Sequence, residues 1–235
     1  MIKKVPGEFR GFSLDLNLVD LLVKTSQVSE KIDDPVKEII QLGLQSSCSI
    51  YVRSNSSKSQ WSGSGFHVGN GLIVTAGHVV PLNTDISDVN VSFDNKQFFP
   101  ASVIKSDPDI DAGAIYCEAA KSFPALQLGD SDTLEKGDII AVIGAPEGFH
   151  DTATVGRISN LHQGLGQGAP SQAWNDIIFV DADIMEGSSG GMVIGTDGLV
   201  YGLVMGVTGQ HADVGIGESS VSPSNKIKKM LAELV

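Results

Sequence analysis

The sequence is poor in cysteine, in aromatic side chains and in positive charge, and each shortage removes a class of protein. Two cysteines in 235 residues, Cys48 and Cys117, are too few for a small secreted disulfide scaffold, and they lack metal-ligand spacing. Both fall in apolar or alternating segments, where buried free thiols are expected. Aromatics make up 6% of the chain while Gly accounts for 27 residues, a composition that suits many short strands joined by turns rather than a helical bundle. Lys and Arg number 16 against 28 Asp and Glu, a net charge of -12 at pH 7. That balance argues against nucleic acid and against anionic membrane surfaces as partners. No apolar run approaches the length of a membrane span. Met1-Ile2-Lys3-Lys4 has the basic flavour of a leader, but Glu8, Arg10 and Asp15 interrupt any apolar region after it. A cytoplasmic location is therefore expected.

What is present divides along the chain. Residues 1–46 form an N-terminal extension, with a mixed apolar run from Leu14 to Leu22. Asp34-Pro35 then opens a helix whose apolar face is Val36, Ile39, Ile40 and Leu42. This extension is read as packing on a neighbour or on the domain behind it, an arm for a regulatory protein or for self-association. From Ser47 the pattern turns to strands: Ser49 to Arg53, near Gly65 to Val68, Leu72 to Val74, Val89 to Phe93, Gln97 to Phe99, Ala101 to Lys105 and Ala112 to Cys117. Asn70-Gly71 marks a hairpin. A second half of the same texture has strands at Ile139 to Ile143, Ala153 to Ser159, Ile177 to Val180, Met192 to Ile194, Val200 to Val204 and Gly215 to Ser219. Ser222-Pro223-Ser224 then reads as a capping region for an amphipathic helix carrying Ile227, Met230, Leu231 and Leu234 at 3.6-residue spacing. The expected fold class is all-β: two six-stranded barrels, at about 47–121 and 122–222, closed by a helix at about 224–234. A site between two such barrels would draw residues from both.

The chemistry concentrates in Gly187-Ser188-Ser189-Gly190-Gly191, between two aliphatic runs. Acyl transfer needs a serine hydroxyl exposed at a bend, with backbone bare enough for N–H groups to reach an oxyanion. Glycines on both sides permit the required dihedrals. An ordinary Gly/Ser turn would read the same way, so the rest of the chain must decide. A nucleophile needs a base, and of His67, His78, His150, His162 and His211, only His78 follows a buried strand at a turn of small residues, Thr75-Ala76-Gly77. A packed core imidazole is its plainer reading. The base needs a carboxylate; in Asp107-Pro108-Asp109-Ile110-Asp111 it is Asp111 that adjoins an apolar strand, while Asp107 and Asp109 read as solvated turn residues. His78, Asp111 and Ser189 fall in the order His, Asp, Ser used by chymotrypsin-type enzymes.

With those residues in view, the sequence resembles the trypsin-like serine proteases of the HtrA type. The first-half motifs are Gly63-Ser64-Gly65-Phe66, Thr75-Ala76-Gly77-His78-Val79-Val80 and Asp107 to Ala112. Those of the second half are Leu128 to Asp132, Lys136-Gly137-Asp138, Ile143 to Pro146, Thr154 to Ser159, Asp181 to Ile184 and Gly187 to Gly191. The likeness runs over about 47–234, in order, and implies a chymotrypsin-like double barrel at 47–235 that acts as a serine endopeptidase on protein or peptide substrates. By this resemblance Ser189 is the nucleophile, His78 the general base and acid, and Asp111 the residue that orients the imidazole. The N–H groups of Gly187 and Ser189 form the oxyanion hole. No metal or cofactor is implied. Counting back to Asp183 reaches the place where trypsin-like enzymes carry an acid for a basic P1 side chain. HtrA relatives prefer small aliphatic groups there, so both preferences stay open. Substrate backbone is expected to pair with Val204-Met205-Gly206. Two departures matter: Ser188 stands where digestive relatives have the aspartate of zymogen activation, and the sequence ends at Val235 where the family usually continues into PDZ domains. Neither trypsinogen-like activation nor gating by an attached PDZ module is expected. A catalytically idle barrel that binds peptides or acts as a scaffold is the alternative.

Overall fold

The structure is a computed structural model that describes residues 34–234, apart from 56–57, 83–84, 146–151, 165–172, 174 and 212–215. Two closed antiparallel barrels of six strands each make up the described chain. The first contains β1 (Ser47–Ser54), β2 (Gln60–Gly69), β3 (Leu72–Ala76), β4 (Ile86–Ser92), β5 (Phe99–Asp107) and β6 (Ala112–Tyr116), closed in the order β1-β2-β3-β6-β5-β4. The second contains β7 (Ile139–Gly144), β8 (Thr152–Gln163), β9 (Ile177–Val180), β10 (Met192–Gly195), β11 (Val200–His211) and β12 (Ile216–Pro223), closed in the order β10-β11-β12-β9-β8-β7. Closure leaves neither sheet a long free edge, which a chain of so many short strands must otherwise protect.

Alternation explains the first barrel. In β1, Ile50 and Val52 are buried while Tyr51 and Arg53 face outward, and the register with β2 puts Val52 opposite Trp61. The hairpin from β2 to β3 turns at Asn70 and Gly71, both left-handed with φ of 52° and 81°. That conformation is what a tight hairpin demands and what Asn-Gly supplies most easily. Two expected strands, Gln97 to Phe99 and Ala101 to Lys105, are one strand, β5. Pro100 is tolerated inside it because β5 pairs only with β4 at that point, Val91↔Phe99 to Val89↔Ala101, and meets β6 from Ser102 onward. β2 likewise begins at Gln60 rather than near Gly65, since Gln60 to Ser64 are recruited by pairing with β1.

Helix α1 (Pro35–Ser46) lies against the second barrel and belongs to the same compact unit. Gly43 explains the closeness, because a Cβ there would stand 2.3 Å from Ile143 Cδ1 and 3.2 Å from Met192 Sδ. A mid-helix glycine costs about 1 kcal/mol, offset here by bringing the helix down onto β7 and β10. Of the two packing modes expected for the extension, residues 35–46 adopt the one on the domain behind them. The run from Leu14 to Leu22 lies outside the described residues. Helix α2 (Ser224–Ala232) buries Ile227 and Met230. Its capping region differs from expectation: Pro223 takes the cap position without a side-chain bond, and the serines are drawn elsewhere. Ser224 Oγ donates to the Gly129 carbonyl and Ser222 Oγ to that of Ile110, each at 2.7 Å. Tertiary acceptors outcompete the helix end for those hydroxyls.

Candidate active site

His78 and Asp111 are brought together by one strand pairing. β3 and β6 run antiparallel with Ala76 opposite Ala112, so the residues just past the end of one and just before the start of the other must meet. The Asp111 carboxylate grips the histidine twice. Oδ1 accepts the His78 backbone N–H at 2.9 Å, and Nδ1 lies 2.9 Å from Oδ2 and 3.1 Å from Oδ1. A carboxylate can only accept, so Nδ1 carries a proton and Nε2 is left as the free end of the ring. Asp111 holds this position in a left-handed conformation, φ 48°, with its side chain 15% exposed while that of His78 is 50% exposed. Gly77 allows the approach: a Cβ there would come within 3.1 Å of Asp107 O and Ala112 N and 3.2 Å of Asp111 C. Asp107, by contrast, accepts the Asp109 N–H at 2.9 Å and closes its own turn.

The serine loop between β9 and β10 docks beside them. Gly190, at φ 87°, is so close to the first barrel that a Cβ would lie 2.2 Å from Ser64 O and 2.7 Å from Ala76 N. That contact lays the residue after Ser189 against Ala76, two residues before His78 in the chain. Ser189 is half-buried, and its carbonyl accepts from Ser64 N–H at 2.8 Å. Its hydroxyl is turned to the Met205 carbonyl, 3.4 Å away, and among the described residues no hydrogen bond joins it to His78. Gly187 is left-handed, φ 87°. Among the described residues neither its N–H nor that of Ser189 has a partner. Ser188, buried, exchanges two bonds with Met185: its N–H donates to the Met185 carbonyl at 3.0 Å and its hydroxyl accepts the Met185 N–H at 3.1 Å. In the place of a zymogen aspartate the chain thus has a serine that closes the turn locally.

The other expected residues are placed as follows. Asp183 is exposed; its carbonyl accepts from Thr154 Oγ1 at 2.7 Å, and its carboxylate has no partner among the described residues. Val204 is committed internally, its N–H to Gly191 O and its carbonyl to Gly190 N–H, both 2.8 Å. Met205 and Gly206 follow it in β11. There β11 slips its register against β12, Val204 pairing with Val221 and Gly206 with Ser220, so Met205 is the extra residue of a bulge. Of the remaining histidines, His67 and His162 are not part of the site. His67 is buried, with Nδ1 between the Phe123 and Pro124 carbonyls at 3.1 Å and Nε2 accepting Gly71 N–H. His162 pairs with Asp176 at 2.7 Å. The His150 position and the His211 side chain lie outside the description. Cys48 and Cys117 are free and buried, and burial pushes the Cys48 thiol far above its ordinary range.

A catalytic-type His–Asp pair facing a glycine-set serine across two barrels has counterparts among known proteins. Residues 63–203 match the family model of the trypsin-like peptidase domain. The chain belongs to that family. In sequence it is similar to proteases of the HtrA and DegP kind. It is 35% identical over 173 residues to serine protease HTRA1 of Xenopus tropicalis, covering 73% of this chain and 36% of the relative. To the periplasmic serine endoprotease DegP of Salmonella typhimurium it is 32% identical over 166 residues, covering 70% and 33%. The HtrA-type protease AlgW, solved with a tripeptide, shares the fold with a TM-score of 0.74 at 23% identity, covering 85% of this chain and 63% of that one. This trypsin-like chain spans about a third of the length of the two sequence relatives. No described helix is long and apolar enough to cross a membrane.

Proposed function

We propose that this chain is a serine endopeptidase, residues 47–235 being its protease domain. The observation that carries the reading is the double grip of Asp111 on His78, which leaves Nε2 free among the described residues, with the serine loop docked against Ala76 of the strand that leads to this histidine. A Ser189 hydroxyl turned from the Met205 carbonyl to Nε2 would complete the relay, and such apo arrangements tighten when substrate binds. Ser189 Oγ then attacks the scissile carbonyl carbon and its proton passes to His78 Nε2. The oxyanion is received by the N–H groups of Gly187 and Ser189. As the tetrahedral species collapses, His78 returns the proton to the leaving amine and an acyl-enzyme remains. Water, deprotonated by the same imidazole, releases the acid and restores the serine. Asp111 holds the tautomer throughout and stabilises the imidazolium.

The Met205 carbonyl supports a role in substrate pairing. It is the acceptor nearest the serine hydroxyl, and a peptide N–H that took it would release that hydroxyl to the histidine. The Asp183 carboxylate, unpartnered among the described residues, supports a basic P1 side chain. A P1 library tests it: Lys or Arg preferred, and the preference lost in Asp183→Ala, is the expected result, whereas small aliphatic groups preferred by both proteins overturn it. The cytoplasmic placement rests on the two free buried thiols, against relatives named periplasmic; cell fractionation decides. For the activity itself, a fluorophosphonate probe should label the protein and not Ser189→Ala. A folded protein that stays unlabelled points instead to an idle peptide-binding barrel.

A further inference from the structure

Ser64 is a polar residue beside the serine loop that the proposed chemistry leaves without a part. It lies in β2 between Gly63 and Gly65, in the first barrel, and is wholly buried. A buried hydroxyl is costly unless its hydrogen bonds are met, and this one is met entirely from the other barrel. It donates to the Gly187 carbonyl at 2.7 Å and accepts the Ala145 N–H at 3.0 Å. The backbone of the same residue donates to the Ser189 carbonyl at 2.8 Å and accepts from Thr75 Oγ1 at 2.7 Å. Glycines clear the space around it, since a Cβ on Gly144 would come within 2.9 Å of its hydroxyl and one on Gly190 within 2.2 Å of its carbonyl.

These bonds fall on consecutive peptide planes of the serine loop. The Gly187 carbonyl is held by Ser64 Oγ, the Ser188 carbonyl by Gly191 N–H at 2.8 Å, and the Ser189 carbonyl by Ser64 N–H. In a trans peptide the N–H points opposite to the C=O. Holding the Ser188 carbonyl therefore aims the Ser189 N–H away from Gly191. Holding the Gly187 carbonyl fixes the plane that links the two N–H groups of the oxyanion site. One serine thus spans both donors, and the Ala145 bond ties the same hydroxyl to the end of β7.

We infer that Ser64 is a positioning residue for the oxyanion hole: its hydroxyl locks the Gly187–Ser188 peptide so that the Gly187 and Ser189 N–H groups converge before substrate arrives. This rests on the serine-endopeptidase reading. The test compares Ser64→Ala and Ser64→Cys with the parent on a peptide substrate, with thermal unfolding followed in parallel. Cysteine has the same shape with a somewhat larger atom and is a weak donor and acceptor, so it fills the space without the lock. The expected result is a kcat lower by about 10- to 100-fold in both variants, with KM within about threefold and labelling by fluorophosphonate slowed to match. A peptide boronate, which mimics the tetrahedral species, should lose affinity in proportion. A kcat within about twofold of the parent in Ser64→Cys, with only Ser64→Ala impaired and destabilised, overturns the inference in favour of plain packing. A folded parent that takes no fluorophosphonate overturns the endopeptidase reading, and the positioning role with it; active parent and unaffected variants overturn the positioning role alone.

Discussion

The two barrels follow one six-stranded plan but hold their shares of the site by different means. In the first, β3 and β6 are hydrogen-bonded neighbours, and their pairing alone carries His78 to Asp111. In the second, Ser189 sits on a loop whose Gly187 and Ser189 carbonyls are gripped from outside its own sheet, by Ser64 of β2. The acid–base half is thus a product of local sheet register, and the nucleophile half exists only when the barrels are docked. Damage to the register should disable the imidazole and leave the serine loop in place; damage to the docking should do the reverse.

The largest effect is expected at the carboxylate. In Asp111→Asn the side chain keeps its shape and can still accept the His78 backbone N–H, but an amide cannot hold the ring in the same tautomer. A fall in kcat of about 10⁴-fold with nearly unchanged thermal unfolding is expected. Steady-state kinetics beside a melting curve check it. Next comes Gly190→Ala, aimed at the docking. The new methyl would press on backbone at 2.2 Å, in a left-handed conformation that alanine resists. A loss of at least about 1–3 kcal/mol is expected, read by denaturant unfolding, with fluorophosphonate labelling nearly abolished.

Gly77→Ala tests the register half with a gentler push. Its methyl meets Asp107, Asp111 and Ala112 backbone at 3.1–3.2 Å, contacts that a shift of a few tenths of an ångström would relieve. Such a shift moves Asp111 relative to His78 and leaves the serine loop untouched. A drop in kcat of about tenfold, with stability reduced by about 1 kcal/mol, is expected. The comparison predicts its signature as well: Gly77→Ala added to Asp111→Asn should lower kcat no further, because both act through one contact.

This division also decides what could be read from the sequence. Asn70-Gly71 and the alternation in β1 depend on neighbours along the chain, and the hairpin turn and β1 lie where the sequence puts them. His78, Asp111 and Ser189 stood out because each is flanked by small residues or sits at a strand end, signals that survive without tertiary information. The Ser64 hydroxyl bond spans 123 residues, and nothing in Gly63-Ser64-Gly65 tells which carbonyl it will meet. The same holds for Ser222 and Ser224, whose spacing suits a helix cap but whose hydroxyls find partners in distant segments. Register slips are equally hidden. The bulge at Met205 depends on how β12 meets β11, so pairing by Val204 looked as plausible from sequence as pairing by Met205.

Gly206 gives the smallest effect and separates cleft from scaffold. It lies just past the bulge, and a Cβ placed there meets no atom within 4 Å, with φ outside the left-handed region. Alanine should therefore be accommodated without strain and, by restricting the unfolded chain, leave the melting temperature unchanged or slightly higher. Gly190→Ala differs in both respects although the two glycines belong to neighbouring segments, because one faces the other barrel and the other faces open space. If that space is where peptide lies along Met205, the methyl should raise KM by about two- to fivefold and leave kcat alone, the mark of binding lost equally in ground and transition states. A fall in kcat with KM unchanged would place Gly206 with the oxyanion loop and not with the substrate edge, and would dissolve the line between a held nucleophile and an open strand.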